Sequence, residues 1–141
     1  MSSRLGPAVV VQEMAQPGVE MALGVVRDPQ FGPLVMVAAG GVLIETLGDR
    51  CLALPPLDEA RARRLVDRLD ARPLLNGARG APPTDVRSLA RALSRLSVLA
   101  GDLGDLIGAL DVNPLIVGPK GCVAVDALIE PPTITQPKAK S

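Results

Sequence analysis

Polar and apolar positions divide the chain into a β-patterned first part, a helical middle and a β-patterned end. Apolar-rich runs at Ala8–Met14, Val19–Arg27, Leu34–Ala38 and Val42–Thr46 predict strands. Gln16-Pro17-Gly18, Asp28-Pro29 and Gly40-Gly41 punctuate them as turns. Arg50–Leu54 predicts a fifth, short strand before Pro55-Pro56. From Asp58 the period lengthens. Ala62, Leu65, Val66 and Leu69 fall at i, i+3, i+4 and i+7 with arginines and aspartates between them, which predicts an amphipathic helix capped by Asp58. A loop over Asn76–Pro83 follows, and Thr84 is the expected cap of a second helix. The stripe of that helix is Val86, Leu89, Ala90, Leu93, Leu96 and Ala100, and Gly101 is its expected stop. A short apolar turn, Leu103–Leu110, leads into the last β region.

That region is the most specific part of the pattern. Leu115–Val117 and Cys122–Val125 flank Gly118-Pro119-Lys120-Gly121, which reads as a hairpin with a four-residue loop. Pairing outward from the loop sets Val117 against Cys122, Leu115 against Ala124 and Asn113 against Asp126. Alternation with period two then places Asp111 on the face of Asn113, and Cys122 on the face of Asp126. Opposed residues share a face with Cβ atoms roughly 4.5–5.5 Å apart, so three oxygen-bearing side chains converge on one patch. Hard oxygen donors of this kind suit Mg²⁺ shared with substrate phosphates. Turn formation and strand termination are the plainer roles for the same residues. Pro114 donates no ladder hydrogen bond, and a bulge there would move Asp111 to the other face.

The whole reads as one α+β layer, an antiparallel or mixed sheet with helices packed on it. Its 141 residues suffice for one domain, assigned to 8–130, between a flexible N-terminus at 1–7 and a disordered tail at 131–141. Phe31 is the only aromatic residue, so stacking on single-stranded nucleic acid is not expected. Fifteen basic residues balance fifteen acidic ones, which excludes a bulk attraction to DNA or to an acidic membrane surface. Cys51 and Cys122 lack metal-ligand spacing and are expected to be buried free thiols. Nothing resembles a signal peptide and no apolar run approaches a membrane span, so a cytoplasmic protein is expected. The chain has no histidine, which leaves any chemistry to carboxylates, Lys, Arg, backbone amides and a hard cation.

A second constellation lies in the first part. Glu13 is expected at the end of one strand and Glu20 at the start of the next, across the Pro17-Gly18 turn. Such a pair can read an adenine edge and accept ribose hydroxyls, or can simply be two solvent-facing acids of a hairpin.

Five ordered segments carry a family resemblance: VQEMAQPGVEMALGVVRDPQFGP, AAGGVLIETLGD, PLLNGARGAPPTDV, LDVNPLIV and AVDA. From about Val9 to Ile129 they resemble the C-terminal part of the ATP-grasp domain of NDP-forming acyl-CoA synthetases, such as ADP-forming acetyl-CoA synthetase and succinyl-CoA synthetase. The resemblance implies an ATP-grasp C-terminal lobe that binds ATP or ADP with Mg²⁺. It implies that Glu13 and Met14 contact adenine and that Glu20 binds ribose. Asn113 and Asp126 are the implied Mg²⁺ ligands, and Asp111 stands near the phosphoryl-transfer centre. Gly40, Gly41 and Glu45 match a segment whose backbone approaches ligand or the phosphohistidine loop; a tight turn between strands is the plainer role of the two glycines. Ala109 stands where the family usually has Glu, and Ala38 or Ala39 where it usually has Gly.

The matching segments begin at the hinge strand. The resemblance therefore implies that the ATP-clamping lobe, the CoA-binding domain and a histidine-bearing segment come from another chain or from the rest of a longer protein. The implied activity is part of the reaction acyl-CoA + ADP + phosphate ⇌ acid + CoA + ATP. A non-catalytic nucleotide- or partner-binding regulatory module and a truncated relic are the alternatives. Apolar surface left uncovered by the other lobe implies a partner or homo-oligomeric self-association.

Overall fold

A computed structural model describes residues 6, 8–41 and 48–133. The expected strand Val42–Thr46 and most of both expected tails lie outside the described residues. Among the described residues the order is β1 (Val19–Asp28), β2 (Gly32–Ala39), β3 (Arg50–Ala53), α1 (Glu59–Val66), a 3₁₀ turn (Arg72–Asn76), α2 (Val86–Leu103), β4 (Ala109–Gly118), β5 (Gly121–Ala124) and β6 (Ala127–Glu130). The strands form one six-stranded sheet in the order β3-β2-β1-β4-β5, with β6 also on β4, and every pairing is antiparallel. The α+β expectation therefore holds, in its antiparallel form.

Both helices lie on one face of this sheet. Met21, Leu23 and Val25 of β1, Val35 and Val37 of β2, and Leu110, Leu115 and Val117 of β4 supply the sheet side of the core. Ala62, Leu65 and Val66 of α1 and Leu89, Ala90 and Leu93 of α2 supply the helix side. Each large aliphatic side chain buried there stabilises the fold by roughly 1.5–3 kcal/mol. Asp58 caps α1 as expected, its Oδ1 accepting the Arg61 N–H at 2.6 Å.

The second helix departs from expectation at both ends. Its cap is Asp85, whose Oδ1 accepts the Ser88 N–H at 3.0 Å and whose Oδ2 accepts the Ser88 hydroxyl at 2.6 Å. Thr84 instead donates its hydroxyl to the Leu75 carbonyl at 3.0 Å, closing the loop after the 3₁₀ turn. The Asp85 N–H donates to the Gly118 carbonyl at 2.7 Å, which ties the start of α2 to the end of β4. Gly101 does not stop the helix, which runs to Leu103. A Cβ at Gly104 would lie 2.5 Å from the Ala100 carbonyl oxygen and 2.9 Å from Pro33 Cγ, so the close approach that demands glycine comes at residue 104.

Ala8–Met14 is not a strand. Val9, Val10 and Val11 are 77–90% exposed and pair with no strand; β1, the strand they lead into, has both its edges filled by β2 and β4. Local β propensity needs a partner strand to become a strand. Both thiols are free and only partly buried; burial still pushes each above the ordinary thiol range, reinforced at Cys122 by Asp85. Among the described residues no helix is long and apolar enough to cross a membrane.

Candidate functional site

The hairpin register matches the expected one, but the loop is two residues, Pro119-Lys120, rather than four, because Gly118 and Gly121 pair. Val117 opposes Cys122 and Leu115 opposes Ala124, and the same offset continues to Ala109 against Glu130. Asn113 meets Asp126 as expected: the Asn113 N–H donates to the Asp126 carbonyl at 3.2 Å, and the Val125 N–H donates to the Pro114 carbonyl at 2.9 Å.

The other edge of β4 is different. Met21 of β1 opposes Leu115, but Leu23 opposes Val112, so Ala22 alone faces Asn113 and Pro114. This is a β-bulge at Pro114, the residue with no N–H to lose from the ladder. Core-facing positions along β4 run Leu110, Val112, Leu115 and Val117, with one step of three among steps of two. Strict alternation would have turned Asp111 and Asn113 into the core beside Leu115. The bulge turns both outward, and both are exposed. Asp111 and Asn113 thus share a face as expected, and Asp126 joins them as Asn113's partner. The expected sharing of a face by Cys122 and Asp126 fails. Cys122 opposes core-facing Val117 and stays on the helix side with Ser88 and Arg91, whereas Asp126 pairs with Asn113, on the other side of the β4 bulge from Val117.

The face turned away from the helices gathers the other candidates. Glu13 and Met14 line a cleft of about 740 Å³ whose far wall is Ile116, Val123 and Val125 of the hairpin. The segment that does not form a strand therefore forms the wall of a cleft. A neighbouring cleft of about 570 Å³ shares Gln16, Ile116 and Val123 and carries Lys120 at the hairpin tip. Both volumes suit a small-molecule ligand. Glu20 is the second residue of β1 and opposes Ile116, a wall residue of both clefts. Sequence reasoning missed the wall residues Ile116, Val123 and Val125; alternation along the hairpin, carried past the bulge, was the available signal.

Gly40 and Gly41 meet Glu20. The Gly40 N–H donates to the Glu20 carbonyl at 2.8 Å, and a Cβ at Gly40 would lie 2.5 Å from that carbonyl. Gly41 has φ +66°, and a Cβ there would lie 3.3 Å from Glu20 Oε2. The glycine pair is therefore both a turn and the surface against which the Glu20 side chain rests. Glu45 lies outside the described residues.

The donor set fits a Mg²⁺ shared with phosphates. Asp126 Oδ1 accepts the Ala127 N–H at 2.9 Å, which orients the carboxylate. With the Asn113 amide oxygen this makes a pair of hard donors, in keeping with Mg²⁺ held by one or two side chains plus phosphate and water. No group of three or more His, Cys, Asp and Glu gathers among the described residues.

Comparison with known proteins returns one consistent answer. A family model described as an ATP-grasp domain matches residues 5–130. The acetate–CoA ligase (ADP-forming) II subunit beta of Pyrococcus furiosus is 40% identical over 123 residues, covering 86% of this chain and 52% of that protein. Its counterpart, the ADP-forming ligase I subunit beta of the same organism, is 35% identical over 84% of this chain and 51% of its own length. Among solved structures, the dinucleotide forming acetyl-coenzyme A synthetase 1 of Ca. Korarchaeum cryptofilum superposes with a TM-score of 0.79 at 42% identity, covering 85% of this chain and 56% of that one. That structure is a complex with coenzyme A and Mg-AMPPCP, with its phosphohistidine segment pointing towards the nucleotide binding site. The chain spans about half the length of these relatives.

Proposed function

Because the chain belongs to the ATP-grasp family, we propose that it forms the nucleotide- and Mg²⁺-binding part of an NDP-forming acyl-CoA synthetase, which interconverts acyl-CoA, ADP and phosphate with acid, CoA and ATP. The observation that carries this reading is the bulge at Pro114. It turns Asp111 and Asn113, with Asp126 as the partner of Asn113, to the face that carries the Glu13–Met14 cleft, which supports a phosphate site next to a base site.

In this reading the apolar cleft walls sandwich the adenine of ATP or ADP, with Glu13 at its polar edge. Glu20, at rest against Gly40 and Gly41, accepts the ribose hydroxyls. Asn113 and Asp126 hold Mg²⁺. The chemistry this cation supplies when bound is neutralisation of the phosphate charge during in-line transfer. Asp111 stands two residues from Asn113 on the same face, where a carboxylate orders the groups around the transferring phosphoryl. The acceptor for that phosphoryl lies outside this stretch, which carries no histidine. The histidine-bearing segment, the CoA-binding domain and the remaining nucleotide-clamping lobe would come from another chain or another part of the same protein.

Thermal unfolding with and without Mg²⁺ and ADP tests the reading. Saturation at a hundred times Kd raises stability by about 2.7 kcal/mol. The expected result is a Mg²⁺-dependent upward shift that Asp126→Asn abolishes. No shift at millimolar ADP, or one that Asp126→Asn leaves intact, would count against it.

A further inference from the structure

Asp49, immediately before β3, is one of two buried polar residues among the described ones, at 8% exposure. It closes the segment AAGGVLIETLGD, which gives it no role of its own, and the site described above does not use it. Its carboxylate is fully engaged: Oδ1 accepts the Asp70 N–H at 2.9 Å and Oδ2 accepts the Ala71 N–H at 2.8 Å. Both donors lie in the link between α1 and the 3₁₀ turn. On the other side, the Asp49 carbonyl accepts the Ala39 N–H at 3.2 Å. Ala39 is the last residue of β2, and the next residue is Gly40, whose N–H donates to the Glu20 carbonyl. One path of hydrogen bonds thus runs from the helix layer through Asp49 to the end of β2 and on to Glu20.

We propose that Asp49 is a positioning residue for the nucleotide site: by fastening the end of β2 to the link after α1, it presses Gly40 and Gly41 against Glu20. This rests on the reading of Glu20 as a nucleotide-binding residue. The physical basis is that a buried carboxylate holding two backbone donors has little freedom left, so the backbone it belongs to is fixed as well. Gly40 has almost no tolerance in the direction of Glu20, since even a Cβ there would overlap the Glu20 backbone. A slip of the β2 end therefore carries the glycine pair and the Glu20 carboxylate with it. A role confined to stapling the link after α1 would leave Gly40 untouched.

The test compares Asp49→Asn with Asp28→Asn. Asp28 carries the same charge and also accepts two backbone N–H groups, from Gln30 and Phe31, but at the opposite end of the same strand pair. Amide hydrogen exchange is read residue by residue, and ADP affinity is measured with Mg²⁺. In Asp49→Asn one of the two acceptors becomes a donor facing a backbone N–H. The expected outcome is exchange at Gly40 faster by about tenfold and ADP affinity weaker by a similar factor, with amides of the β1–β4 pairing still protected. Asp28→Asn changes neither. Faster exchange confined to Asp70 and Ala71, with Gly40 as in the parent, overturns the proposal. If the parent binds no ADP, the site reading fails on its own, and Gly40 exchange still decides whether Asp49 controls the glycine pair. Should Asp49→Asn fail to fold, Asp49→Glu keeps both acceptors on a longer arm and gives the same comparison in milder form.

Discussion

Gly40→Ala isolates how tightly the glycine pair is fitted to the proposed nucleotide site. The added methyl would lie 2.5 Å from both the carbonyl carbon and oxygen of Glu20 and 2.9 Å from its Cβ. Two of those three atoms are backbone in β1, hydrogen-bonded on both sides, so no side-chain rotation relieves the contact. The strand ends must separate, and the 2.8 Å hydrogen bond from Gly40 to Glu20 lengthens or breaks. Overpacking of this kind costs about 1–3 kcal/mol and the lost hydrogen bond about 0.5–1.5 kcal/mol. The two overlap, and we expect a loss of about 2–3 kcal/mol, which for a domain of this size lowers Tm by roughly 6–9 °C. Gly101→Ala is the internal control. Gly101 lies inside α2, and an added methyl there would meet nothing within 4 Å, so alanine should stabilise by about 0.5–1 kcal/mol. Differential scanning calorimetry of the two variants beside the parent is the assay. A Gly40→Ala Tm within about a degree of the parent would refute the close fit, and with it the account of how Glu20 is held.

Two further outcomes follow from the helix layer. Ser97, fully buried in α2, accepts the Leu57 N–H at 2.8 Å and donates to the Ser94 carbonyl at 2.6 Å; Ser97→Ala strands the Leu57 donor and should cost about 1–3 kcal/mol by urea unfolding. Glu59 beside Arg87, Asp67 beside Arg72 and Asp85 bonded to Ser88 all have carboxyls held below the usual range. Because these are lowered in the folded state, the stability they contribute is complete above the ordinary carboxylate range and is lost as pH falls through and below it. The urea midpoint should therefore stay level from neutrality down to about pH 5 and fall below about pH 4. Added salt should weaken the part owed to Glu59, an exposed ion pair, more than the part owed to Asp85, whose partners are a hydroxyl and an amide.

Much of the architecture was legible from local pattern. The β-rich and helical regions, the Asp58 cap and the hairpin register from Gly118 outward all follow from period, capping chemistry and turn composition, which act over a few residues. So does the pairing of Asn113 with Asp126, because a register is set at the turn and propagates along both strands together. What local pattern could not decide is which competing local signal prevails once neighbours are present. Val9-Val10-Val11 has strand propensity, yet both edges of β1 are already taken; the segment stays unpaired, and Val10 with Gln12, Glu13 and Met14 lines the cleft. Thr84 and Asp85 are both competent caps, and the choice was made by the Leu75 carbonyl claiming the Thr84 hydroxyl. The bulge at Pro114 is the deciding case for function. Proline announced that the ladder had to give way there, but only packing decided the direction. Leu110, Val112, Leu115 and Val117 all have to reach the helices, and the chain meets that demand with one extra residue, which leaves Asp111 and Asn113 facing outward where charge is solvated. Residue types and their order are thus enough to nominate candidate donors, while their placement on one face depends on burial of the apolar residues between them.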